Sequence, residues 1–222
     1  MSDPYFNNTL EGEGAGASEG AFPANHHTDP SCSFFLSVGL QTPAPAPPSA
    51  PPPQMHDKAQ LVALALQHQC ESQARLAEAA GGEENKVQSF FHSCRVPGIS
   101  IWDYMKRIAK HSGCSPECFL VAFIYLDKYC MLTNNVLTFT NAHRLIITVV
   151  LISAKLRDDQ FYSNAYFASI GGVGTSELNR LEIEMLKHIN WDTWVEPSLY
   201  QQYYTALMET YGHLVTDVFV QQ

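Results

Sequence analysis

The sequence has 222 residues, a formal net charge of −9 and 16% charged residues. That length allows one or two domains, and an acidic chain lacks the basic excess that neutralising nucleic-acid phosphates requires. The first twenty residues are acidic and Gly-rich, and the longest apolar run, Leu145–Ala154, spans ten residues, about half of what a bilayer needs. Neither a signal peptide, a membrane span nor a nucleic-acid partner is therefore expected.

Six cysteines (32, 70, 94, 114, 118 and 130) show no framework spacing. They read as reduced thiols of an intracellular protein, in cytoplasm or nucleus.

Residues 1–57 hold six acids and no Lys or Arg, and ten of the 13 prolines lie in residues 1–53. Seven of those fall between Pro43 and Pro53. A stretch of this kind favours extended polyproline backbone and has little to bury. Residues 1–56 are expected to be a disordered tail. Within it, Ser33–Leu40 is a short apolar patch, read either as an unfolded sticky segment or as a peptide that docks on its own domain or on a partner.

Residues 57–82 suit a helix with a thin apolar stripe (Leu61, Leu64, Ala65, His68, Ala74, Leu76), stopped by Gly81-Gly82 and expected to be isolated, either marginal or packed only beside the next domain. A domain over 88–208 follows, then an extension over 209–222. Its first helix covers Ile99–His111, with Ile101, Tyr104, Met105 and Ile108 on one face. The second starts with Ser115 as N-cap, Pro116 at the first position and Glu117 in the first turn. The third runs from Thr140 to about Leu156 and is apolar nearly all round, which places it at the centre of a bundle. A short helix over Ser163–Ile170 ends at Gly171-Gly172. A fifth runs from Thr175 to about Asn190 on a stripe of Leu178, Leu181, Met185 and Ile189. A last helix starts near Pro197. No run sustains period-two alternation, so the fold class is all-α.

Several motifs invite chemistry and lose it on inspection. Gly171-Gly172-Val173-Gly174-Thr175 has no Lys and joins two helices, so it reads as a helix cap and loop, not a phosphate cradle. His111, Cys114 and Cys118 have no second paired set of ligands, so no metal and no cofactor are expected. His143, Asp158 and Asp159 lie at opposite ends of one helix, roughly 22 Å apart at 1.5 Å per residue, too far for one hydrolytic site. No catalytic set survives, and an enzyme is not expected. Two charges stand beside apolar stripes: Lys155 follows Leu151 and Ile152, and Glu182 lies between Leu178 and Met185. On spacing alone they either reach to solvent or pair locally.

The run Arg144-Leu-Ile-Ile-Thr-Val-Val-Leu-Ile-Ser-Ala-Lys155-Leu156 resembles the third helix of a cyclin box, with its Ala-Lys hallmark. Asn179-Arg180-Leu181-Glu182 through Trp191 resembles the fifth, with its Arg-hydrophobic-Glu pattern. Asp158-Asp159-Gln-Phe-Tyr-Ser-Asn-Ala-Tyr through Gly172 is similar to the P-type cyclins. These are relatives of the yeast phosphate-pathway cyclin, called U-type in plants and also found in trypanosomatid protists. Pro97-Gly-Ile-Ser-Ile-Trp and Phe119–Tyr129 fit the same family, and the resemblance covers about residues 88–205.

The resemblance implies one five-helix cyclin box and a cyclin-dependent protein kinase as partner, bound and activated by this chain. The other reading is a cyclin-fold scaffold or transcription-associated protein that activates no kinase. In cyclins the residues matching Lys155 and Glu182 pair and touch the kinase. Positions matching Ile152, Leu156 and Trp191 line the same surface, and Asp158 and Asp159 complete the expected kinase-binding set. The resemblance stops at the Met-Arg-Ala-Ile-Leu run of substrate-docking cyclins, where this chain has Ile101-Trp-Asp-Tyr-Met-Lys-Arg-Ile108. Only 31 residues follow Trp191, so a second repeat is not expected.

Overall fold

Helix formation along the chain follows its caps. The computed structural model describes residues 57–79, 81 and 89–217, and among them there are seven helices and no strand. These are α1 (Asp57–Ala79), α2 (Ile101–His111), α3 (Pro116–Thr133), α4 (Ala142–Arg157), α5 (Asn164–Gly171), α6 (Thr175–His188) and α7 (Pro197–Asp217). Ser100 and Ser163 sit at the N-caps of α2 and α5 in extended backbone and accept from the amides of Asp103 and Tyr166. Ser115 caps α3 ahead of Pro116, as its sequence suggests. The expected tail 1–56, with its Ser33–Leu40 patch, lies outside the described residues.

Helix α4 is the axis of the bundle. Every residue from Leu145 to Ala154 is buried, with α2, α3, α5 and α6 packed around it. A helix apolar on all sides has no solvent face to offer and must be surrounded. Its N-cap is Asn141, not the expected Thr140. The Asn141 side chain turns back, accepting from the Thr138 amide at 2.9 Å and donating to the Val136 carbonyl at 2.9 Å, which fixes the loop into α4.

The first helix is more integral to the domain than expected. Helix α1 does not stand apart: Leu61, Val62, Leu66 and Cys70 are buried in the same core as α4, and α1 packs on α2, α3 and α7. Its stripe looked thin because much of it is small. Ala63, Ala65 and Cys70 let the neighbouring helices approach closely, and area is buried by proximity instead of side-chain size. Lys58 anchors the first turn, reaching Glu117 of α3 at 2.8 Å and lying over the rings of Tyr200 and Tyr204 of α7.

The segment before α2 is strapped to the core by Phe91, which is buried edge-on against Tyr129. Arg144 holds it further by donating to the His92 carbonyl at 2.6 Å. Helix α7 buries Tyr203, Leu207, Tyr211 and Val215, four residues apart. Tyr203 donates to the buried Asp127 of α3. Helix α7 runs unbroken through residue 208, so the expected boundary there falls inside it. No helix among the described residues is long and apolar enough to cross a membrane.

The glycine run 171–174 is a joint between helices. Gly171 ends α5 and Gly172 caps it at φ 69°, with the Val173 amide donating to the Ala168 carbonyl at 3.1 Å. Gly174 is already the N-cap of α6. Gly171 is also required by packing, since a Cβ there would lie 2.6 Å from Ile147 Cγ1 of α4.

Candidate functional site: an ion pair at the edge of the core

Lys155 is on the last turn of α4, one turn beyond the buried Leu151 and Ile152. Its position lets the stem lie on apolar surface while the ammonium reaches out, and the charge complements the C-terminal end of the helix dipole. Glu182 is on α6 between the buried Leu178, Leu181 and Met185. The Lys155 Nζ donates to Glu182 Oε1 at 2.7 Å. The second carboxylate oxygen accepts from Asn164 Nδ2 at 2.9 Å, and the same amide reaches Asn179 Oδ1 at 2.7 Å. One carboxylate thus ties together the end of α4, the start of α5 and the middle of α6. The side chains keep 28% and 14% of their surface exposed, so the pair is accessible from one side.

Apolar groups without cover lie next to the pair in sequence. Leu156 follows Lys155 and is 50% exposed, and Ile183 follows Glu182 and is exposed as well. Phe161, Tyr162 and Tyr166 are exposed on the α4–α5 loop and α5. The rings of Tyr162 and Tyr166 lie 4.3 Å apart, and Tyr166 Oη donates to the His111 carbonyl at 3.1 Å. Tyr162 lies against Gly113, where a Cβ would be 3.1 Å from its Cε2, and Gly113 has φ +65°. The sequence reading used this run as a family mark and gave Phe161, Tyr162, Tyr166 and Asn164 no role. The signal was present as three aromatics within six residues, Phe161, Tyr162 and Tyr166.

The other expected residues divide. Ile152 is 1% exposed and belongs to the core, so its expected place on the surface is corrected: with α4 surrounded, its side chain supports the turn that carries Lys155. Asp158 is turned inward onto α3, accepting from the Ser115 amide at 3.0 Å and from the Cys118 thiol at 3.3 Å. Asp159 is exposed. Trp191 is 63% exposed in the loop after α6, with φ 56°, and Trp194 is exposed beside it. That loop is held by Tyr125 of α3, whose hydroxyl donates to the Thr193 carbonyl at 2.8 Å, and by an ion pair between Lys128 and Asp192. Burial pushes the Tyr125 hydroxyl up to about 12, while the Arg157 charge at the end of α4 pulls the other way.

His143, at the other end of α4, is buried beneath Tyr104 with its ring nitrogen Nε2 on the Ile99 carbonyl at 2.9 Å. It is remote from Asp158 and Asp159, as expected for opposite helix ends.

Comparison with known proteins agrees with this architecture. The sequence model of the family described as Cyclin matches residues 55–193, which takes in α1 as well as the five helices of the box. Cyclin-P3-1 of Oryza sativa subsp. japonica is 38% identical over 143 residues, covering 63% of this chain and 61% of that protein. Cyclin-U3-1 of Arabidopsis thaliana is 48% identical over 104 residues, 47% of each chain. The Nuc-1 negative regulatory protein preg of Neurospora crassa is 36% identical over 158 residues, 69% of this chain and 32% of that protein. The matches span about half to three-fifths of the length of the plant relatives. With a family match over more than half of its residues and relatives of the P and U types, the chain belongs to the cyclin family.

Proposed function

We propose that this chain is the regulatory subunit of a cyclin-dependent protein kinase, binding the kinase through the surface around Lys155 and Glu182 and activating it. The observation that carries the proposal is the part-exposed Lys155–Glu182 pair in a chain of the cyclin family, with Leu156 and Ile183, the next residues in sequence, left exposed. The chain supplies no chemistry of its own. A kinase transfers phosphoryl groups once the Glu of its regulatory helix pairs with its ATP-holding Lys. A rigid three-helix corner pressed against that regulatory helix stabilises the active arrangement by contact energy, which shifts the kinase population. Leu156 and Trp191 supply apolar and aromatic anchors, and Asp159 a charge at the rim. Asp158 and Ile152 act indirectly, by holding the end of α4. The acidic chain takes neither nucleic acid nor membrane as partner in this account, and it works inside the cell.

The test is isolation of the tagged chain from its own cells. A co-purifying kinase catalytic subunit, with protein kinase activity in the eluate, is the expected result. A relative named as a negative regulatory protein favours a second reading, in which the chain regulates without activating a kinase. That reading predicts a partner but no kinase activity in the same eluate.

A further inference from the structure

Helices α2 and α5 build a second exposed surface, outside the proposed kinase contact. Lys106, Arg107, Lys110 and His111 are all exposed on α2. At 3.6 residues per turn they share one stripe of about 140° of arc, clear of the buried Tyr104, Met105 and Ile108. Arg107 donates to the Ser169 carbonyl of α5 at 3.1 Å, and the Tyr166 hydroxyl of α5 donates to the His111 carbonyl at 3.1 Å. These bonds set the stripe beside the exposed rings of Tyr162 and Tyr166.

The charge on this surface is one-sided. Among the described residues, none of the three cations is in an ion pair. Helix α5 carries no charged residue. The acid of α2, Asp103, lies in the first turn and accepts from Ser100 Oγ at 2.7 Å. In the α4–α5 loop Asp158 is turned onto Ser115, and Asp159 is exposed two residues before Phe161. Like charges one turn apart, such as Lys106 and Lys110, weaken a helix. The helix dipole favours Lys110 and His111 in the last turn, but it accounts neither for Lys106 nor for the aromatic face alongside. A cationic stripe beside exposed rings complements an acidic segment with apolar ends.

We infer that this surface is the docking site of the chain's own N-terminal residues 10–22. They read Leu-Glu-Gly-Glu-Gly-Ala-Gly-Ala-Ser-Glu-Gly-Ala-Phe, with Glu11, Glu13 and Glu19 between two apolar ends. Residues 1–56 contain no Lys or Arg to answer those acids, so the cations come from the domain. The Ser33–Leu40 patch has no acid and lacks this complementarity. Residues 23–56 span at most roughly 110 Å, against a radius of gyration of about 15 Å for a domain of this size, so the segment reaches any face. Helix α1, which begins at Asp57, packs directly on α2. Tethering makes the contact intramolecular, and a few exposed charge pairs then suffice. The glutamates meet Lys106, Arg107 and Lys110, and Phe22 meets the Tyr162–Tyr166 face. Tyr166 shares α5 with Asn164, so the docked segment lies beside the corner that carries Glu182.

The test uses the full chain and a water-soluble carbodiimide, which joins a carboxylate to an amine in contact with it, followed by peptide mapping of the monomer. The expected result is amide links from Glu11, Glu13 or Glu19 to Lys106 and Lys110, lost in about 0.5 M salt. In the double variant Lys106→Gln, Lys110→Gln, glutamyl endopeptidase should cut after those glutamates about fivefold faster than in the unmutated chain. Circular dichroism checks that the variant is folded, and the links in the unmutated chain decide the matter if it is not. Links spread over the chain's other lysines overturn the proposal, as does an unchanged cutting rate in a folded variant. Links found only between two copies assign the surface to a second copy and overturn it too. An absence of links leaves the surface to an external acidic partner, again against the proposal. Neither arm depends on a kinase.

Discussion

Lys155 and Glu182, 27 positions apart in sequence, meet at 2.7 Å between α4 and α6, and Asn164 of α5 closes the cluster on the second carboxylate oxygen. An ion pair this exposed contributes about 1 kcal/mol or less to folding. The pair joins the end of α4, the start of α5 and the middle of α6, and the next residues in sequence, Leu156 and Ile183, are exposed.

Helix α1 is part of the core, and Leu61→Ala tests this. Leu61 is fully buried among residues of the central cluster. Its truncation leaves a cavity and costs about 2–5 kcal/mol. Urea unfolding should show a lower midpoint with the whole domain melting in one transition. An α1 that merely rests on the surface predicts a change below about 0.5 kcal/mol.

Gly171→Ala places a methyl group 2.6 Å from Ile147 Cγ1, on the central helix. Overpacking of this kind costs about 1–3 kcal/mol. Gly98→Ala is the control, since nothing lies within 4 Å of a Cβ there. Thermal melts of the two variants should separate, with Gly171→Ala the lower. Equal melting temperatures would contradict the close approach of α5 to α4.

Stability should fall in mild acid because of His143. Burial lowers its pKa from 6.5, although its bond to the Ile99 carbonyl opposes the shift. Its Nδ1 is buried with no hydrogen-bond partner. The unfolded chain therefore binds a proton at higher pH than the folded chain does. Stability from this residue is complete above about pH 6.5 and is lost as pH drops through that value toward the lower folded pKa. Urea midpoints between pH 7 and pH 5 measure it. His143→Gln should flatten the dependence, and an unchanged slope in that variant would assign the acid sensitivity elsewhere.

Much of the fold was legible from pattern. An all-round apolar run announced the central α4, and Ser115-Pro116-Glu117 announced the start of α3. Lys155 and Glu182 stood out as charges beside apolar stripes, and the family resemblance supplied their pairing. What escaped was set by three-dimensional context. The small residues of α1 hid how closely it packs. Ile152 and Leu156 are four positions apart on α4 and equally apolar, yet one is buried and one, in the last turn before the helix ends at Arg157, is exposed. Asp158 was grouped with Asp159, and only the fold shows it turned onto Ser115 and Cys118.

The most direct test of kinase binding is the affinity of Glu182→Lys for a cyclin-dependent kinase, measured beside its circular dichroism. Glu182 sits at the edge of the α6 stripe, so the domain should stay helical with a loss of about 1 kcal/mol. Reversal sets a second ammonium against Lys155 and removes the carboxylate that holds Asn164. Disrupting a charge pair of this kind at an interface costs about 2–5 kcal/mol, roughly 30-fold to several thousand-fold in affinity. The account predicts a folded variant that no longer co-purifies with the kinase or activates it. A folded Glu182→Lys that binds and activates the kinase as the unmutated chain does would contradict it.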